Sequence, residues 1–389
     1  MKSRIGIIST NRAVWGGSEE LWRLGALRLA AAGHSVVAIL SRPDIPNAQI
    51  GELKDAGIKV VHAAIDSYSF PSRFWNRFAP DELRITAGVA GRQALRRFSP
   101  DFVLINVGYL TELEDFTWAL FFRDTGIPYA ILEHGASDVD CPNNCTIDRT
   151  SQLFLSATRV YFVSEASRAL VQQQLGVALP QSAVVRNPVA TSGVGVLAWP
   201  TTSEAEFSLA CPARLCLRDK GLDLLIRLLA KDKWRDRNMA ITLYGQGPHS
   251  ESLKRMAAFL RVPSVRFAGH MTDVAGIWQK NHACVLPSRK EGLPLALVES
   301  MWCGRMGIVT DVGGNTEVLR DNITGFVART PTIEALDEAL DRAWQRRNEW
   351  EAIGRLAAAD IRRLIPENPA HVFADRLVHA FEESRLQTR

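Results

Sequence analysis

Cysteine is scarce in this 389-residue chain: six residues, Cys141, Cys145, Cys211, Cys216, Cys284 and Cys303, are scattered along it. That excludes a disulfide framework, which belongs to short secreted chains dense in cysteine. Cys141-x3-Cys145 resembles half a metal site, but no second Cys or His pair with ligand spacing accompanies it, so reduced thiols and no metal are expected. No run of about 18 apolar residues occurs, and no membrane-spanning helix is expected. The opening MKSRIGIIST loses its apolar character at Ser9 and reads as a short strand rather than a signal peptide, which leads to the expectation of a cytoplasmic protein. Charge of one sign is also in short supply: 46 Lys and Arg stand against 42 Asp and Glu, a net +4. Such an excess suits an anionic ligand or an acidic membrane surface and is too weak to argue for nucleic acid. A G-x-G-x-x-G loop is missing after the first strand, which counts against hydride transfer.

What is present is alternation. Apolar β-rich runs at Arg4–Ser9, Ser35–Leu40, Lys59–His62, Phe102–Asn106, Tyr129–Glu133, Val160–Ser164 and Ala183–Arg186 are separated by helical stretches such as Glu19–Ala32, Glu82–Phe98 and Glu165–Leu175. Near-continuous apolar runs are the mark of parallel strands covered on both faces. Residues Asn187–Glu204, rich in Pro, Gly, Ser and Thr, read as a linker. A second series follows at Phe207–Cys211, Ala240–Tyr244, Ser264–Ala268, Ala283–Pro287 and Met306–Thr310, and the tail from Thr332 is helical, broken at Pro366 and Pro369. Length and rhythm predict two α/β domains. They are a first domain over 1–190, with a C-terminal helix at about 370–389 packing back on it, and a second over 204–368. Ligands of open α/β sheets sit beyond the carboxyl ends of the strands, and the informative residues fall there.

After the strand at 283–287 comes Glu291-Gly292-Leu293-Pro294-Leu295-Ala-Leu-Val-Glu299. A helix beginning near Leu293 would aim the unpaired amides of its first turn, with the positive end of its dipole, at an anion. Glu291 and Glu299, at different depths, suit hydroxyls at two ends of an elongated ligand. Arg214 and Lys220, six apart after the strand at 207–211, are suited to converge on a diphosphate. Tyr244-Gly245-Gln-Gly247-Pro248 and Phe267-Ala-Gly269-His-Met271-Thr272-Asp273 close two further strands. In the first half Trp15-Gly16-Gly17-Ser18 follows the first strand, with Ser18 a candidate N-cap, and Glu133-His134-Gly135 ends another. Taken singly, each of these is also the stuff of ordinary turns and surface charge.

Together, Arg214 and Lys220, Gly245-x-Gly247-Pro248, Phe267-x-Gly269, Glu291-x7-Glu299, and Asp311-Val-Gly-Gly314-x2-Glu317 followed by Gly325-Phe326 resemble the GT4 family of retaining GT-B glycosyltransferases. The resemblance implies two Rossmann-like doubly wound domains facing a central cleft, a nucleotide-sugar donor (UDP- or GDP-sugar), and a glycan or lipid-linked acceptor in bacterial surface polysaccharide assembly. It implies that Arg214 and Lys220 hold the diphosphate and that Met271, Thr272 and Asp273 lie against the base. Glu291 and the amides from Gly292 to Leu295 would meet sugar and phosphate, and Glu299 the ribose. Gly16 and Gly17 would form the glycine-rich loop near the donor phosphate or acceptor, and His134 would approach the donor sugar. Where the family often has Phe-Gly this chain has Leu293-Pro294, so position 294 offers no amide. No Asp-x-Asp motif accompanies the donor loops, so no metal or other cofactor is expected. A nucleotide-sugar epimerase of the same architecture and a catalytically silent paralogue that only binds remain open. Finally, Phe70, Phe74, Trp75 and Phe78 interleaved with Arg73, Arg77, Arg84, Arg92, Arg96 and Arg97 form a segment that is either helix packing plus a solvated face or a peripheral contact with an anionic membrane.

Overall fold

The computed structural model describes residues 2–11, 15–40, 47–62, 89–113, 118–191, 193–201 and 206–387. Most of the basic–aromatic segment, from Phe70 to Arg84, lies outside them, as do residues 82–88 of the helix expected before Phe98 and residues 202–204 of the linker. The chain forms two compact units, residues 1–188 with 368–389, and residues 189–367. Among the described residues no helix is long and apolar enough to cross a membrane.

The first unit is built on strands β1 (Arg4–Ser9), β2 (Ser35–Leu40), β3 (Lys59–His62), β4 (Phe102–Val107), β5 (Tyr129–Glu133), β6 (Arg159–Phe162) and β7 (Ser182–Val184). All pairings are parallel, in the order β3-β2-β1-β4-β5-β6-β7. Every residue of β4 and β5 is buried, as a sheet clad on both faces requires. One face is covered by helices Gly17–Ala31 and Pro369–Gln387: Leu21, Trp22, Phe373, Leu377 and Phe381 share a core with Phe102 and Tyr161. Of the basic–aromatic segment, the helix Val89–Phe98 is described. Its Phe98 ring lies 4.9 Å below the Arg4 guanidinium, and Arg96 stands over Phe121 at 5.6 Å, so both are engaged within the unit.

The second unit carries β8 (Phe207–Pro212), β9 (Met239–Tyr244), β10 (Val265–Gly269), β11 (Ala283–Leu286), β12 (Met306–Thr310) and β13 (Gly325–Ala328), again all parallel, ordered β10-β9-β8-β11-β12-β13. β13 has no counterpart among the strands expected from sequence. Four residues opening on a glycine carry little strand signal, and only pairing with β12 makes them one. Both sheets reverse their strand order beside the first strand, between β1 and β4 and between β8 and β11. Crossover loops part there to opposite faces and leave a crevice at the carboxyl ends.

Arg305, immediately before β12, is 1% exposed and forms no ion pair with a carboxylate among the described residues. Its guanidinium serves six carbonyls: those of Trp278, Asn281, Cys303 and Gly304, and those of Leu197 and Ala198 in the extended segment before β8. Trp199 stacks 5.3 Å from it. Burial lowers its pKa to about 10, so it stays charged at neutral pH. Arg305→Ala strands several buried carbonyls and is expected to lower the stability of the second unit by about 3 kcal/mol. Chemical unfolding read on that unit checks this, and an unchanged midpoint would contradict the role.

Candidate functional site

In the second unit the loops after β8, β11 and β12 are drawn together at the strand-order reversal. Gly221, at φ +58°, ends the short helix Leu217–Lys220, and a Cβ there would stand 2.1 Å from the carbonyl oxygen of Pro287. Only glycine permits that approach. It delivers Lys220 to Glu291: Nζ donates to Oε1 at 2.6 Å, and Ser288 Oγ donates to the same oxygen at 2.8 Å. Gly313, at φ +55°, plays the matching part from the other side, its missing Cβ falling 2.2 Å from the Glu291 carbonyl oxygen. The Gly314 amide donates to the Gly292 carbonyl at 2.6 Å. Arg214 Nη2 donates to Asp219 Oδ2 at 2.6 Å, while the Asp219 carbonyl accepts the amides of Arg289 and Lys290 at 2.8 and 3.1 Å. Thus Arg214, Lys220 and Glu291 share one cluster.

The helix after Glu291 spans Leu295–Trp302, two residues later than expected from sequence, with Pro294 as its N-cap at φ −70° and ψ 122°. Proline there is extended rather than helical and has no side-chain group to cap the helix, and the amides of Leu295 and Ala296, in its first turn, have no intrahelical acceptor. Glu299 is therefore its fifth residue. It is buried and accepts the Ala190 amide, and desolvation raises its pKa to about 7 despite that bond.

Further along the sheet edge, the Gly245 amide donates to the Gly269 carbonyl at 2.8 Å, joining the loops after β9 and β10. Asp273 is committed to a cap: Oδ1 accepts the Gly276 amide at 2.9 Å and starts the helix Val274–Lys280. Thr272 is exposed and Met271 half-buried beside it.

In the first unit, one expectation needs correction. Ser18 is not the N-cap. The helix begins at Gly17 with Gly16 in that position, and Ser18 Oγ turns to Glu19 Oε1 at 3.3 Å. Gly16 is extended at φ −152°, and among the described residues a Cβ on it would meet nothing nearer than 3.7 Å. Gly17 is exposed.

His134 lies directly after β5, and its Nε2 is 2.8 Å from Asn106 Oδ1 at the end of β4. The other end of that amide donates to Glu19 Oε1 at 3.1 Å. Desolvation dominates here. It lowers His134 to about 3, raises Glu19 to about 7 against its hydrogen bonds, and raises Glu133 to about 8, with the Gly135 amide opposing and Glu112 adding to the rise. Glu19, Asn106 and Glu133 were not among the candidates from sequence. Asn106 and Glu133 are ends of apolar runs and Glu19 is one acid in an ordinary helix start; only the juxtaposition of β1, β4 and β5 singles them out.

Residues 203–359 match the family model of glycosyl transferases group 1. Glycogen synthase of Pseudomonas syringae is 30% identical over 129 residues, 32% of this chain and 26% of that protein. A GDP-mannose-dependent alpha-(1-6)-phosphatidylinositol monomannoside mannosyltransferase of Mycolicibacterium smegmatis is 31% identical over 144 residues, 34% and 37% of the two chains. The matched stretch thus spans well under half the length of either relative. Anabaena HepE, solved in complex with UDP and glucose, superposes with a TM-score of 0.73 at 15% identity, over 97% of this chain and 99% of that one.

The Glu133 carboxyl is uncharged at neutral pH in the folded chain and charged when unfolded. Its folded value is raised, so its contribution to stability is full below about 4.5 and is lost as pH rises to about 8. Glu133→Gln removes that dependence. The stability of the variant relative to the parent should climb with pH across this window, by at most about 1.4 kcal/mol per unit. Parallel denaturation curves at several pH values check it, and a constant difference would show that Glu133 ionises normally.

The second unit carries the match to the group 1 glycosyl transferases, and the chain as a whole has the two-Rossmann-like GT-B fold of solved glycosyltransferases.

Proposed function

We propose that this chain is a retaining, metal-independent glycosyltransferase of the GT4 type, moving a hexosyl group from a UDP- or GDP-sugar to a hydroxyl of a glycan or lipid-linked acceptor, in bacterial surface polysaccharide assembly. The observation that carries this reading is the 2.6 Å meeting of Lys220 with Glu291 at the reversal between β8 and β11, beside uncapped helix amides. A cation, a carboxylate and the first-turn N–H groups of a helix at one crevice are the groups that a sugar diphosphate needs.

In the proposed step the bond between the anomeric carbon and the diphosphate oxygen breaks, with both electrons leaving on the diphosphate. The acceptor oxygen bonds to the same face of that carbon, and its proton passes to an oxygen of the leaving diphosphate. Lys220, Arg214 and the amides of residues 295 and 296 stabilise the charge that builds on the leaving group. Glu291 and Glu299 accept hydrogen bonds from sugar and ribose hydroxyls, and the loop at Met271–Asp273 borders the base.

A thermal-shift panel of UDP-, GDP-, ADP- and TDP-sugars identifies the donor, since a ligand at 100 times its Kd stabilises the fold by about 2.7 kcal/mol. With that donor and a bacterial glycolipid extract as acceptor, Lys220→Ala and Arg214→Ala should each lower turnover by about 100-fold or more. Activity should persist in excess EDTA. Near-normal rates in both variants would end the assignment, and loss of activity in EDTA would end its metal-independent part.

A lipid-linked acceptor lies at an anionic membrane surface, and the basic residues between 70 and 98 suit such a surface. Flotation with anionic liposomes at low salt should carry the protein upward and neutral liposomes should not. No flotation with either removes the membrane contact and leaves the transfer reading intact.

A further inference from the structure

Asn106 occupies the strand-order reversal of the first sheet, where β1 pairs with β4, and is fully buried. A carboxamide has one donating and one accepting end, so whatever fixes one end decides what the other offers. At the donating end Nδ2 lies 3.1 Å from Glu19 Oε1 and 3.4 Å from Ser9 Oγ. Glu19 has no freedom to turn away. Trp22 Nε1 donates to its Oε2 at 2.9 Å, and Asn11 Nδ2 and Ser18 Oγ donate to Oε1 at 3.2 and 3.3 Å. Once ionised, above about pH 7, a carboxylate held among donors on both oxygens only accepts. Reversing the Asn106 amide would set its oxygen against that carboxylate. The oxygen Oδ1 must therefore face His134, 2.8 Å from Nε2, and Nε2 must carry the proton.

The consequence falls on the other ring nitrogen. His134 is 8% exposed, and its Nδ1 finds no hydrogen-bond partner among the described residues. A lone pair left buried without a donor is unfavourable, and a hydroxyl arriving at the carboxyl end of β5 would satisfy it.

We propose that Glu19 and Asn106 are a buried positioning relay that locks His134 in the Nε2–H tautomer, so that Nδ1 stands ready to accept a hydrogen bond from a hydroxyl of the transferred sugar. The lock itself is independent of the glycosyl-transfer reading, and only the identity of the hydroxyl rests on it. Two hydroxyl-poor readings are thereby excluded for Nδ1: it is neither a proton donor to the leaving group nor a cationic anchor for phosphate.

The test is spectroscopic. Protein carrying ring-15N histidine is recorded at pH 8, above the point to which Glu19 is raised, with His134→Gln identifying the resonances among the eight histidines. A proton bonded to Nε2 and a far-downfield, unprotonated Nδ1 are expected. A proton on Nδ1, or on both nitrogens, overturns the proposal. Asn106→Leu, with a melting curve to verify its fold, should draw the two nitrogen shifts toward each other as the tautomers mix. Unaltered shifts would reduce Asn106 to a structural tie. UDP-glucose should then move Nδ1 upfield where UDP alone does not, with saturation judged from the melting temperature. Failure of UDP-glucose to bind counts against it as donor, whereas binding with no selective movement of Nδ1 overturns the hydroxyl assignment.

Discussion

A strong contact between oppositely charged side chains from two loops, Lys220 on one and Glu291 on the other, organises the second unit. β8 and β11 are neighbours in the sheet although three helix-bearing crossovers separate them along the chain. Glycines at 221 and 313 let backbone come against backbone on either side of residue 291, and only then can the ammonium reach the carboxylate. A buried glutamate needs that partner, because desolvating an unpaired charge costs far more than the pair returns. Asp219 gives Arg214 the same service while its carbonyl anchors the amides of Arg289 and Lys290. The cations are thus aimed by carboxylates of the site itself. Under the proposed function an arriving diphosphate competes with those carboxylates for them, so the cluster is arranged before the ligand arrives.

The first unit repeats the architecture with the opposite electrostatics. Its strand-order reversal gathers Ser9, Asn106, Glu19, Glu133 and His134, and among the described residues no lysine or arginine is bonded to them. Desolvation outweighs the hydrogen bonds, so Glu133 is neutral at pH 7, Glu19 titrates near 7, and His134 is an uncharged imidazole. A group of that kind recognises hydroxyls through direction rather than charge. The same fold therefore offers charge recognition in one unit and hydrogen-bond geometry in the other, and the difference lies in a few residues at the ends of equivalent strands.

Much of this was legible in the amino-acid order. The runs at 4–9, 35–40, 59–62, 129–133 and 306–310 are strands with those bounds, and the two-sheet parallel fold follows from their apolar character and the helices between them. The placing of Arg214, Lys220 and Glu291 just beyond strand ends is a local property and was readable as such. Local chemistry misleads where two caps compete: Ser18, a candidate cap by its hydroxyl, leaves that place to Gly16, and the helix after Glu291 waits for Pro294.

What the sequence by itself determined is which residues stand at the ends of which strands, since that depends on hydrophobic period and on turn residues within a few positions of each other. Which strand ends become neighbours was decided only by tertiary structure, because strand order is a global property of how the crossovers wind. Hence Lys220 and Glu291, 71 residues apart, or Glu19, Asn106 and His134, spread over more than 100, carry no mark of their contact in the chain. Burial, which silences the charge on Glu133 and His134, is likewise a sum over distant neighbours and has no local signature.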